Sequence, residues 1–164
     1  MKILLVRHAE AKGVNGITIL NDHDRPLTAM GKKQGKRLRK SLKNLDLKVD
    51  LVISSPLARA KETAHLAVPA ISEKSECHIL LDCLSPGGNF PEVSGFLAGR
   101  NFTLAALFGH MPDMASLVCY FTGLKEGTIH LDKAGAALLD FPGQVSPGDG
   151  RLEWLITPQW KARG

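Results

Sequence analysis

Aromatic side chains are scarce in this chain: two Trp, one Tyr and six Phe among 164 residues. A protein without an aromatic stripe offers no platform for stacking unpaired bases, which argues against nucleic acid as a partner. Cysteine is nearly as sparse. Cys77, Cys83 and Cys119 are odd in number and form no C-x-x-C pair, so neither a disulfide framework nor a zinc site is indicated, and buried reduced thiols are expected. No apolar run approaches the ~20 residues that span a bilayer, and the N-terminal run is too short for a signal-peptide core. The expectation is a cytoplasmic protein with no membrane partner. A G-x-x-x-x-G-K-[ST] loop is missing, which removes support for P-loop ATP chemistry. There is also no carboxylate cluster, and His23, His65, His78 and His130 show no ligand spacing, so no metal and no cofactor are expected.

What is present suits a globular protein. With 44% hydrophobic and 23% charged residues, the chain can bury a real core, and its length fits one domain over residues 1–164. Ile3-Leu4-Leu5-Val6 reads as a buried strand that delivers Arg7 and His8 at its carboxyl end, where open α/β sheets bind ligands. A long polar connection, Ala9 to Pro26, follows. Thr28 then caps a helix whose apolar spacing runs through Gln34, Leu38, Leu42 and Leu45. Its other face carries Lys32, Lys33, Lys36, Arg37, Arg39, Lys40 and Lys43. Such a run is ordinarily a solvated helix face, with docking of an acidic partner as the minority reading.

Leu51-Val52-Ile53 gives a second strand, and Ser54-Ser55-Pro56 ends it and opens a helix with Arg59 in its first turn. Free amides and the helix dipole favour an anion there. The competing reading makes Arg59 a surface residue paired with Glu62. His78-Ile79-Leu80-Leu81 predicts a third strand, with a helix from about Pro91 to Leu97. Thr103 to Phe108 predicts a fourth, ending in Gly109-His110, with a helix running on to about Phe121. Gly127–Asp132, Gly135–Phe141 and Arg151–Thr157 read as short strands at a mixed edge. Arg7, His8, Arg59 and His110 thus all follow strands on one side of the sheet. Two arginines and two histidines suit a phosphate dianion, since the guanidinium fork matches its oxygens and a neutral imidazole can attack phosphorus.

In these pieces the sequence resembles the histidine phosphatase superfamily, which includes phosphoglycerate mutases and acid phosphatases. The resemblance rests on Leu5-Val6-Arg7-His8; on Pro26-Leu27-Thr28 with Gly31 and Gln34; on Ser54-Ser55-Pro56 with Arg59, Ala60, Thr63 and Ala64; and on Gly109-His110 with Pro112. The short chain and the Arg25-Pro26-Leu27-Thr28 form look most like the SixA-type phosphohistidine phosphatases. That resemblance implies a three-layer α/β sandwich, mostly parallel in its central sheet, with helices on both faces and no inserted lid domain. It implies His8 as phosphorylated nucleophile, Arg7, Arg59 and His110 as the phosphate pocket, and no metal. The partner it implies is a phosphohistidine-bearing protein, such as a phosphotransfer domain or similar carrier.

Two departures stand out. Ala9 occupies a place where the family usually has Gly, and the general acid is open between Asp82 and Glu92, neither in a matching context. Arg25 is expected to fix its loop. The alternatives on the same fold are a phosphatase of small phosphomonoesters or a mutase, the latter disfavoured because an open site lets water discharge the intermediate. The alternative from another class is a catalytically weak basic binding module.

Overall fold

A computed structural model of the chain describes residues 1–13, 21–68 and 78–157. Cys77 and part of the connection from Ala9 to Pro26 lie outside the described residues. The elements are β1 (Lys2–Arg7), α1 (Ala29–Asn44), β2 (Leu51–Ser54), α2 (Ala58–Ala67), β3 (His78–Leu80), α3 (Phe90–Ala98), β4 (Leu104–Gly109), α4 (Asp113–Thr122), β5 (Ala136–Asp140) and β6 (Arg151–Ile156). Short 3-10 turns cover Asp22–Asp24 and Asp82–Leu84. The strands form one sheet in the order β3-β2-β4-β1-β5-β6. The first four run parallel, and β5 and β6 add an antiparallel edge.

The apolar runs behave as strands buried on both faces. In β1, Ile3 and Leu5 point to the layer that holds Val93, Met114 and Leu117 of α3 and α4. Leu4 and Val6 point to the opposite layer, with Leu38 and Leu42 of α1 and Ala64 of α2. Helices therefore cover both faces, and the described residues include no inserted helical lid. Thr28 caps α1 by accepting the Gly31 amide at 2.9 Å. None of the described helices is long and apolar enough to cross a membrane.

Three expectations change. Gly127–Asp132 is not a strand. β5 takes the place beside β1 and pairs with β6 on its other side, while the carbonyl of Leu131 accepts from Arg7. Leu45 is exposed at the C-cap of α1, because the chain turns there and leaves the buried stripe to Leu38 and Leu42. Pro56 stands two residues ahead of α2, with Leu57 as the N-cap, although Arg59 is in the first turn as expected.

Candidate active site

The connections leaving β1 and β2 cross to the α1/α2 face, whereas the one leaving β4 joins α4 on the other face. Such a divergence opens a crevice at the carboxyl ends of neighbouring strands. β1 and β4 are paired with Arg7 opposite Gly109. The next residues meet as a result: the His8 amide donates to the Gly109 carbonyl at 2.9 Å, and the rings of His8 and His110 lie 5.1 Å apart between centroids. Ser55, just past β2, donates its amide to the Phe108 carbonyl at 2.9 Å. The junction is tight at Gly109, where a Cβ would lie 2.6 Å from Cε of Met114 and displace that side chain.

Arg59 is not the surface residue of the competing reading. It is 5% exposed, and Glu62 instead accepts from the Leu27 amide. Its two terminal nitrogens donate to the carbonyl of Asp22 at 2.9 Å and to the Asp22 carboxylate at 3.1 Å, while Nε is buried without a partner. Arg7 donates from one terminal nitrogen to the Leu131 carbonyl at 2.8 Å, and its Nε is likewise buried and unpartnered. His110 is buried, contacts Ser55 Oγ through Nε2 at 2.9 Å, and leaves Nδ1 without a partner. Burial lowers the pKa of both guanidiniums, opposed by Asp132 for Arg7 and by Asp22 for Arg59.

The residues between the strands hold His8 in place. Its Nδ1 lies 2.6 Å from the carbonyl of Ala9, so Nδ1 carries the proton and Nε2 holds the free lone pair. Ala9 is fully buried, and its amide donates to Thr63 Oγ1 at 3.0 Å; that hydroxyl in turn donates to the Arg59 carbonyl. The methyl of Ala9 is accommodated where the family usually has Gly. One step further, the Glu10 amide donates to Gln34 Oε1 at 2.8 Å and the Glu10 carbonyl accepts the Thr28 amide at 2.9 Å. Gly31 packs on that carbonyl so closely that a Cβ would overlap its oxygen. The Pro26-Leu27-Thr28, Gly31 and Gln34 pattern is thus the clamp that fixes the loop after His8.

Both histidines are neutral near pH 7. Burial, with the charges of Arg59, Arg7 and Arg25, brings His8 down to about 4 against the opposing Ala9 hydrogen bond. Burial, with Arg59 and His8, brings His110 to about 3, and Asp22 opposes weakly. The Leu57 amide donates to Ser55 Oγ at 3.3 Å, which leaves the hydroxyl proton free to point at His110 Nε2. That tautomer puts the ring proton on Nδ1, the nitrogen with no partner.

Neither Asp82 nor Glu92 hydrogen-bonds to any of these four residues; both are exposed beside Cys83. Asp22 was not foreseen. Burial pushes its pKa up, but the charges and hydrogen bonds of Arg59 and Arg25 outweigh this and hold it below the usual carboxylate range. Arg25 fixes the loop, donating to the Lys12 carbonyl at 2.7 Å and to Asp22 at 2.8 Å. Ser55 and Thr63 also went unassigned, although both stand inside the quoted motifs. His78 contacts Ser54 Oγ and the ring of His65, and the exposed His130 lies 3.5 Å from Asp132.

Comparison with known proteins agrees with this geometry. The model of the histidine phosphatase superfamily (branch 1) matches residues 3–81, the stretch that contains Arg7, His8 and Arg59. The phosphohistidine phosphatase SixA of Escherichia coli is 24% identical over 162 residues, covering 96% of this chain and 94% of SixA. A solved structure of the protein histidine phosphatase SixA complexed with tungstate has the same fold, with a TM-score of 0.83, 23% identity and coverage of 96% of this chain and 97% of that one. A putative alpha-ribazole-5'-P phosphatase of Escherichia coli shares the fold at a TM-score of 0.71 and 18% identity, over 96% of this chain and 97% of its own. Order of motifs, sheet topology and the pairing of Arg7-His8 with Gly109-His110 all point the same way: over residues 3–81 this chain is similar to the histidine phosphatase superfamily (branch 1), and over nearly its whole length it shares the fold of SixA.

Proposed function

We propose that this protein hydrolyses phosphohistidine on a protein through a covalent phosphohistidine intermediate at His8. The observation that carries the reading is the set of three buried, unpartnered nitrogens around His8: Arg7 Nε, Arg59 Nε and His110 Nδ1. Buried donors are almost always satisfied, and a tetrahedral dianion is the ligand that would satisfy all three together. Tungstate, which the SixA structure holds, is an oxyanion of this kind.

In the proposed reaction Nε2 of His8 attacks phosphorus as the P–N bond to the substrate imidazole breaks. The substrate ring is protonated before or during cleavage and leaves neutral. Arg7, Arg59 and the Nδ1 proton of His110 hold the equatorial oxygens, where charge is spread in the transition state. Water then attacks the phosphoryl group on His8, releasing inorganic phosphate and restoring the neutral ring. A phosphate ester would instead expel an alkoxide, for which a positioned acid is worth roughly 10²-fold to 10⁴-fold. The exposed positions of Asp82 and Glu92 favour a leaving group that needs no such acid.

The test is kcat/KM across phosphoramidate, a phosphohistidine peptide, an aryl phosphate and a sugar phosphate. The two P–N substrates are expected to react fastest and the alkyl ester slowest. A preference for the alkyl ester would overturn the assignment and favour a small phosphomonoester as substrate.

A further inference from the structure

The seven cations of α1 are unexplained by the chemistry above. Lys32, Lys33, Lys36, Arg37, Arg39, Lys40 and Lys43 are all exposed, and none forms an ion pair among the described residues. The helix contains no Asp or Glu. Taking its seven cations from the 21 Lys and Arg of the chain leaves 14, against 16 Asp and Glu, so the net positive charge of the protein is the charge of this one helix. Lys32/Lys36, Lys33/Arg37, Lys36/Lys40 and Arg39/Lys43 are like-charge pairs four apart, a spacing that destabilises a helix. The face opposes its own folding.

The cations also have a direction. At 3.6 residues per turn, Lys32, Lys36, Arg39 and Lys43 fall within about 60° of arc, a row about 17 Å long. The row begins at the clamp on the loop after His8, where Thr28, Gly31 and Gln34 meet Glu10. It is therefore fixed rigidly relative to the proposed nucleophile and leads away from it along the surface.

We infer that this row is a docking surface for an acidic patch on the protein that carries the phosphoryl group, an inference that rests on the proposed function. Charge complementarity identifies the partner. Nucleic acid fits less well: α1 carries no aromatic side chain for stacking. Steering of this kind raises the rate of encounter and fades with salt.

Two synthetic peptides test it, each with one phosphohistidine and a ten-residue tail, glutamate-rich in one and glutamine-rich in the other. Ten extended residues reach about 33 Å, enough to follow the row. At low ionic strength the protein should favour the glutamate tail in kcat/KM by on the order of 10-fold, and about 0.5 M salt should erase the preference. In the variant Lys32→Gln, Lys36→Gln, Arg39→Gln, Lys43→Gln the preference should vanish while turnover of phosphoramidate is unchanged. A preference that survives in the variant, or is absent from the unmodified protein, overturns the inference. Should the variant fail to fold, the salt dependence of the unmodified protein decides alone. If neither peptide nor phosphoramidate reacts, the phosphohistidine reading fails separately, and anisotropy of the unphosphorylated glutamate peptide tests docking directly. Salt-sensitive binding supports the surface; tighter binding of a polythymidylate oligonucleotide overturns it in favour of nucleic acid.

Discussion

Two regions of this molecule hold positive charge in opposite ways. In the crevice, Arg7 and Arg59 are immobilised by backbone carbonyls and by Asp22, each with one buried nitrogen left unpaired. On α1, seven cations stand in solvent with no described partner. Water screens the second set fully and the first much less, Arg59 being buried and Arg7 partly so. A buried guanidinium can hold an anion in a fixed geometry, whereas an exposed ammonium only attracts one. On the proposed reading, chemistry and encounter are divided between two places joined through the Glu10 clamp.

Substitutions in the crevice should sharpen that contrast, since their effects are large and insensitive to salt. His8→Ala should abolish turnover and acid-labile, alkali-stable labelling by a phosphodonor; full activity in that variant would end the mechanism. Arg59→Lys keeps the charge but loses the fork, and kcat should fall by on the order of 10²-fold or more. A rate close to normal would make Arg59 no different from the exposed cations of α1.

Smaller effects are expected from the residues that position the pocket. Ser55→Ala removes the hydroxyl that orients His110, and kcat/KM should drop by about 2-fold to 10-fold, the worth of one hydrogen bond of roughly 0.5 to 1.5 kcal/mol. No change would leave Ser55 a mere space-filler. Asp22→Asn removes a half-exposed carboxylate that competes with substrate for Arg59, so tungstate should bind about 2-fold to 5-fold more tightly, as fits an ion pair worth up to about 1 kcal/mol. Weaker binding measured by calorimetry would show that Asp22 holds the arginine for the ligand instead of screening it.

Acid acts on the histidines of the crevice in another manner. His8, brought down to about 4, must remain neutral to attack, so kcat/KM should stay level to about pH 5 and fall near pH 4. A fall centred at 6.5 would contradict the burial of the ring. Stability follows the same sign: the unfolded chain binds protons at His8 and His110 below pH 6.5 that the folded chain refuses. The contribution is complete above 6.5 and lost as pH drops through about 4 for His8 and about 3 for His110, so the urea midpoint should fall across that window and fall less in His8→Ala.

The strands that carry this site were legible because they are apolar on both faces and end in charge. Ile3 to Val6 and Leu104 to Phe108 could hardly be anything but central, and their ends brought Arg7, His8 and His110 into view. Asp22 was illegible because its importance lies in a contact with Arg59 across 37 positions, made by a polar loop with no periodic signal. Gly127–Asp132 misled for the opposite reason. It alternates like a strand, but whether such a segment joins the sheet depends on where the chain carries it, here past Arg7, which no local pattern records.

The peptide unit of His8 has one further consequence. Its amide donates to Gly109 on β4 at 2.9 Å, and its carbonyl accepts from Ala134 at 3.2 Å, so the residue beyond the end of β1 is stitched on both sides. Loops that do chemistry commonly open on their own, far below the cost of unfolding the whole domain. Here the His8 amide should rank among the slowest to exchange with deuterium, keeping pace with Leu4 and Leu5, and a reagent aimed at the ring will find a backbone that does not breathe to meet it.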